Sequence, residues 1–275
     1  MFFSFSSKMI IKEIQAKSII SPSKIPTIDY VINPYVGCTH ACSYCYASYM
    51  KKFSGHEEEW GRFVDVKINA PDLVPTKSDK YKNKLISFSS VTDPYMPIEK
   101  KYEVTRKTLE KLIPLEPRLN ILTKSKLVLR DADLFLQFKD CQVGISITTT
   151  SEIARKQIES GASSFEEKIK VLEELSSLGI KTYVFVAPIF PYLTDWKTII
   201  KKTKHAVNFY MFDGLNIRGM IWPGVKDWLK KERPHLLLKY EKIYFSKTDY
   251  WKKLRPEIEK ICRAEGVEGR VLFRE

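Results

Sequence analysis

The chain has 275 residues, 44% of them hydrophobic and 29% charged, which supplies a sizeable core and excludes extensive disorder. No stretch is long and apolar enough for a membrane-spanning helix, and the opening MFFSFSSKMIIKEI has neither a basic leader nor a small-residue cleavage site, so a cytoplasmic location without a signal peptide is expected. The formal net charge is +13, and residues 197–275 hold 19 Lys/Arg against 10 Asp/Glu, a net +9; this attracts polyanions, of which nucleic acid is the commonest, although a lysine-rich solvated surface explains it equally well.

Short apolar runs rich in β-branched and aromatic residues predict strands at 28–33, 84–91, 118–123, 142–149, 180–187 and 211–217. Helices are predicted between them. The first covers 41–53, and the second, 101–113, stops before Pro114. A third, 126–139, starts at Ser125, and a fourth, 152–160, ends before Gly161. The helix over 164–178 has two candidate capping boxes, Ser163 with Glu166 and Ser164 with Glu167. The last, 195–206, follows Thr194 as its cap. Six βα units in a row demand parallel strands, arranged as a partial barrel or an open doubly wound sheet, with active residues at the carboxyl ends. Residues 54–83 show no clear period and read as an insertion over that end; Glu57-Glu58-Glu59 reads as solvated loop. Beyond 220, helices are predicted near 225–232, 235–246 and 250–264 without intervening strands. The chain divides accordingly into an N-terminal extension (1–27), a βα core (28–217) and a C-terminal helical extension (218–275).

Of the five cysteines, three fall in Cys38-x-x-x-Cys42-x-x-Cys45, while Cys141 and Cys262 stand alone as expected core residues. An odd count with one tight cluster reads as a metal or redox site rather than a disulfide framework. Three neighbouring thiolates repel one another unless cations lie among them. Three ligands are one short of filling a cubane iron–sulfur cluster and leave an iron open. Zinc is the rival, with His40 as its fourth ligand.

The segment Asn33-Pro34-Tyr35-Val36-Gly37-Cys38-Thr39-His40-Ala41-Cys42-Ser43-Tyr44-Cys45-Tyr46-Ala47 resembles the cluster motif of the radical S-adenosylmethionine (SAM) superfamily, in its spore photoproduct lyase-like branch. The likeness continues through Thr92–Glu99, Leu122–Ser125, Val143–Thr149, Gly161–Ser164 and Val186–Ile189. It implies an α/β fold, a partial (β/α)6 radical-SAM-type barrel with the helical extension behind it. It also implies a 4Fe-4S cluster held by Cys38, Cys42 and Cys45. One electron from a donor such as ferredoxin or flavodoxin would cleave S-adenosyl-L-methionine to a 5′-deoxyadenosyl radical that takes hydrogen from a substrate.

By the same resemblance, Tyr46 packs near the adenine, and Thr92 and Asp93 lie near the methionine amino group. Lys124 pairs the methionine carboxylate. Ser146 and Thr148 donate to the ribose or carboxylate, and Ala187 and Pro188 border the adenine. Three of these have a plainer reading: Lys124 a solvated residue before a helix, Asp93 a cap for the turn at Pro94, Ser146 a sheet residue. The lyase carries a hydrogen-donating cysteine just before its Asp-Pro, where this chain has Ser90; a serine O–H bond is too strong for that role, which argues against repair of the same lesion by the same route. The substrate is therefore left unidentified, with nucleic acid as one candidate, radical modification of a protein or peptide as the alternative, and a zinc-binding nucleic-acid module as the outsider. Lys201-Lys202, Lys230-Lys231 with Arg233, and Lys252-Lys253 with Arg255, near tail aromatics, suit single-stranded nucleic acid; the same aromatics at helical spacing also suit core packing.

Overall fold

A computed structural model of the chain describes residues 9–219 and 221–273. Its strands are β1 (Ile10–Ile14), β2 (Ile20–Pro22), β3 (Tyr30–Ile32), β4 (Tyr35–Gly37), β5 (Phe63–Lys67), β6 (Leu85–Phe88), β7 (Arg118–Thr123), β8 (Cys141–Ser146), β9 (Lys181–Ile189), β10 (Phe209–Gly214) and β11 (Glu268–Val271). Its helices are α1 (Glu99–Tyr102), α2 (Val104–Leu112), α3 (Ala132–Phe135), α4 (Glu152–Ile158), α5 (Phe165–Ser177), α6 (Trp196–Thr203), α7 (Ile221–Glu232), α8 (Pro234–Phe245) and α9 (Tyr250–Ala264). The main sheet runs β11-β10-β9-β8-β7-β6-β3-β2. Every pair from β3 to β11 is parallel, and β2 turns back on β3. Strand order follows chain order without reversal, so the sheet is an open partial barrel and not a doubly wound sheet, whose order switches direction midway.

The six predicted strands are all present. Those at the centre, such as the Tyr-Val-Phe-Val run of β9, are buried on both faces, as parallel strands between helices must be. Helix α5 lays Ile169, Val171, Leu172 and Leu175 on the sheet. Of its two candidate capping boxes only Ser164 with Glu167 forms; the Ser163 hydroxyl accepts instead from the Lys126 N–H at 2.8 Å. Helix α6 is capped by Asp195, not Thr194, because Thr194 Oγ1 is spent on Phe190 N and Thr148 O.

Several stretches depart from expectation. The opening of the chain contributes β1, which pairs with β5, and β4 completes a three-stranded sheet on the other side of β5. The stretch 54–83 therefore carries a buried strand. The expected helix over 126–139 is a 3₁₀ turn, Lys126–Asp131, followed by α3. The helical extension ends in β11, which joins β10. The first eight residues, part of the apolar opening, lie outside the described residues.

One buried ionic knot fixes the start of the helical layer. Glu99 and Asp131 are both fully buried. Arg130 reaches Glu99 Oε1 at 2.6 Å and Asp131 Oδ1 at 2.7 Å, and Arg106 reaches Asp131 at 3.0 Å. Tyr35 and the Thr105 N–H also donate to Glu99. Breaking a buried pair leaves an uncompensated charge, so Arg130→Met should cost about 3–5 kcal/mol in urea unfolding.

Candidate active site

The segment expected to form a helix over 41–53 is a bent loop followed by a 3₁₀ turn, Tyr46–Phe53. Ala41 has φ 51°, a left-handed conformation that a continuous helix does not allow. The loop is stitched to the end of α4. Ser43 N donates to Ile158 O at 2.9 Å, Gly161 N to His40 O at 3.2 Å, and His40 Nδ1 lies 2.8 Å from Gly161 O. A Cβ at Gly161 would strike the Thr39 carbonyl and His40 Cα, so that approach needs glycine. On the far side, Thr92 Oγ1 donates to Gly37 O at 2.6 Å.

This stitching brings Cys38, Cys42 and Cys45 to the wall of one cavity of about 400 Å³, within the range of small-molecule sites. Burial first, then Asp93 and the two other cysteines, pushes the Cys38 thiol well above its ordinary value. Burial raises Cys42 to about 12, against the pull of Lys124, and burial raises Cys45. Such thiols ionise only when a cation takes the place of their protons. Three desolvated, mutually repelling cysteines facing one cavity fit a cluster with an open iron. His40 does not complete a zinc site: its Nε2 is 3.1 Å from Asp93 Oδ2 and its Nδ1 faces Gly161 O. Among the described residues no three His, Cys, Asp or Glu side chains close tightly enough for a single ion.

Tyr46, Thr92, Asp93, Lys124, Ser146, Ala187 and Pro188 all line the same cavity, at the carboxyl ends of the parallel strands. Thr148 does not. It is fully buried, with its Oγ1 3.1 Å from Ala187 O and 3.3 Å from Lys124 Nζ. Tyr46 is exposed, and its hydroxyl donates to the Ser90 carbonyl. Asp93 has four partners. Its Oδ1 accepts from Tyr95 N at 2.9 Å and from Thr123 Oγ1 at 2.6 Å, and its Oδ2 accepts from Lys124 N at 2.9 Å and faces His40. Burial alone would raise its pKa; His40, Thr123 and the Lys124 N–H outweigh it and hold the carboxyl below its ordinary value. Asp93 thus caps the turn at Pro94 and also clamps the cysteine loop to β7.

Lys124 is not a solvated lysine. Its Nζ is 3.1 Å from Glu159 Oε2 and donates to Ser146 Oγ at 3.1 Å. Sequence reasoning misses Glu159, which is fully buried, and also Tyr44, whose hydroxyl donates to Glu159 and whose ring lines the cavity. The signal in the chain is a charged residue two positions before Gly161, at a helix end. Ser90 is at the cavity, held by Asn33 Nδ2 at 3.2 Å. Among the described residues the thiols on this cavity are the three clustered ones. Cys141 is at the amino end of β8 and Cys262 packs beneath Gly269 of β11, as core cysteines do. His56, which belongs to no sequence motif, is buried between Asp65 at 2.8 Å and Glu58 at 2.9 Å and stacks on Phe63, bracing the small sheet behind the loop. The tail aromatics are mainly packing: Tyr240 and the half-buried Trp222, Trp228 and Tyr244 build a second core with Tyr44, Phe190 and Leu215.

A family model described as the radical SAM superfamily matches residues 32–201. An uncharacterized protein of Methanocaldococcus jannaschii is 46% identical over 213 residues, 78% of this chain and 80% of that one. Among solved structures, spore photoproduct lyase with bound AdoMet and dinucleoside spore photoproduct aligns with TM-score 0.71 at 16% identity, over 96% of this chain and 82% of the lyase. Streptococcus suis SuiB bound to precursor peptide SuiA aligns with TM-score 0.54 at 12% identity, over 88% and 48%. Membership of this superfamily implies an iron–sulfur cluster, SAM and a reductant. The chain belongs to the radical SAM superfamily and is a radical SAM enzyme with the fold of spore photoproduct lyase.

Proposed function

We propose that Cys38, Cys42 and Cys45 hold a 4Fe-4S cluster and that the enzyme abstracts hydrogen from a nucleic acid. The observation that carries the chemistry is the meeting of these three thiols, Cys38 buried and Cys42 and Cys45 partly so, with Lys124, Ser146, Ala187 and Pro188 around one cavity. When bound, the reduced cluster supplies the electron that cleaves SAM to methionine and a 5′-deoxyadenosyl radical. The protein's part is placement and exclusion. Lys124 offers an ammonium to the ligand carboxylate. Tyr46, bonded past the end of β6, and the Ala187–Pro188 segment of β9 are the positions this cavity offers to the adenine. Asp93, already saturated with donors, keeps the loop in place rather than taking part in bond breaking. With Ser90 where the lyase has its cysteine, the described residues of the cavity wall offer no thiol besides the three assigned to the cluster.

Support for nucleic acid comes from a second groove, of about 780 Å³, between β9, α6, α8 and α9. Lys197 and Lys253 there are paired with Glu257 and Asp249. Lys239 instead stands over the exposed ring of Tyr192, 5.2 Å from its centre, and Lys242 lines the same groove. A cation beside an exposed aromatic ring suits a phosphate with its base. The structural likeness to a lyase holding a dinucleoside points the same way; the likeness to SuiB holding a peptide keeps a peptide substrate as the second reading. In gel retardation at low salt the wild type should bind single-stranded oligonucleotide. Lys239→Glu with Lys242→Glu should weaken binding about tenfold or more. The log–log slope of affinity against salt should also flatten by roughly 0.7 for each phosphate that is no longer neutralised. No retardation of DNA or RNA would favour the peptide.

A further inference from the structure

Lys168 is a charged residue within the apolar stripe of α5. It is 1% exposed, and its Nζ is 3.2 Å from Glu159 Oε1. The other oxygen of Glu159 is 3.1 Å from Lys124 Nζ, and the Tyr44 hydroxyl donates to it as well. Of the three charged side chains, Glu159 and Lys168 are shut in; only that of Lys124, 14% exposed, reaches the cavity. One carboxylate thus faces two lysine amines, with burial drawing the Lys168 pKa down against the hold of Glu159. A lone Lys–Glu pair would be neutral and would not need the second lysine, whose burial costs several kcal/mol before any compensation.

We propose that Glu159 and Lys168 are positioning residues that let Lys124 be shared between the protein and the carboxylate of SAM. The proposal rests on the assignment of Lys124 to that carboxylate. If Lys124 turned from Glu159 toward a ligand in a two-residue arrangement, it would strand a buried carboxylate, and breaking such a pair is strongly unfavourable. Lys168 removes that penalty, because Glu159 keeps a counter-charge whichever way Lys124 faces. The surplus positive charge then falls at the floor of the cavity, where an anionic group would arrive. Tyr44 and Glu159 also tie this device to the cysteine loop, since Tyr44 lies between Cys42 and Cys45 in the chain.

The test measures SAM binding by calorimetry to the anaerobically iron-loaded protein without reductant, so turnover plays no part. In Lys168→Met, Glu159 retains Lys124 for itself, and SAM affinity should fall about 10- to 100-fold. In the double variant Glu159→Gln with Lys168→Met no buried charge competes for Lys124, and affinity should return to within about threefold of wild type. Lys168→Met binding like wild type, or the double variant binding as weakly as Lys168→Met, would overturn the proposal. If Lys168→Met does not fold, the double variant decides alone, since a tenfold weaker affinity there contradicts a device that only relieves competition. Lys124→Met separates the two levels. Undiminished binding in that variant, or none in the wild type, defeats the assignment of Lys124 itself; weakened binding there with Lys168→Met unchanged defeats only this inference.

Discussion

Asp93→Ala is expected to lose about 3–5 kcal/mol of unfolding free energy and to retain several-fold less iron than the wild type, although all three cysteines remain. The buried carboxylate takes two backbone N–H groups, the Thr123 hydroxyl and the edge of His40. Thr123 can turn to another acceptor, but Tyr95 N and Lys124 N cannot, and each buried donor left unmade costs about 1–3 kcal/mol. The consequence for iron follows from where His40 sits. With Asp93 gone, its ring is held only at Gly161 O, and the loop between Cys38 and Cys42 loses its tie to β7. Urea titration and iron assay after anaerobic reconstitution check both parts. Full iron retention in a destabilised variant would show that the clamp serves the fold alone.

Gly37→Ala should be as damaging from the other side of Cys38. Gly37 has φ +87°, and a Cβ there would press into the backbone carbonyl of Phe63, on the strand paired with β4. A positive φ costs an L-residue about 1–2 kcal/mol, and overpacking a fixed neighbour typically adds about 1–3 kcal/mol. The neighbour is backbone in a small sheet braced by His56, so the adjustment passes along the chain into Cys38. Gly55→Ala is the control: its φ is +67° but the space around it is open, so it should cost only the conformational part and leave iron loading unchanged. Equal iron loading in the two variants would contradict a loop geometry set at Gly37.

Some of this is legible in the residues. The six barrel strands are apolar runs of β-branched and aromatic residues between helical segments, and the two periods alone establish them. The cysteine spacing and the residues around it indicate the superfamily, and seven of the eight positions expected to contact SAM line one cavity. What is not legible depends on partners distant in sequence. Strands β1 and β11 are half-exposed; β1 and the buried β5 become strands by pairing with each other, and β11 by joining β10, pairings that no local pattern announces. Thr148, two residues past the end of β8, is buried against Ala187 O and Lys124 Nζ and does not line the cavity. Glu159 reads as an ordinary helix-end carboxylate until Lys124 and Lys168 are brought to it from two other elements. The tail aromatics, open in sequence to either stacking on bases or packing, are largely consumed by a second core over the barrel's carboxyl end.

Cys38, Cys42 and Cys45 are expected to support reductive cleavage of SAM. The direct measurement is anaerobic: reconstitute the protein with iron and sulfide, reduce it with dithionite, add SAM, and follow 5′-deoxyadenosine by chromatography beside Cys42→Ala. The predicted result is 5′-deoxyadenosine from the wild type and none above background from the variant. A protein that takes up zinc in place of iron and sulfide, or one that holds a cluster yet forms no 5′-deoxyadenosine, would contradict it.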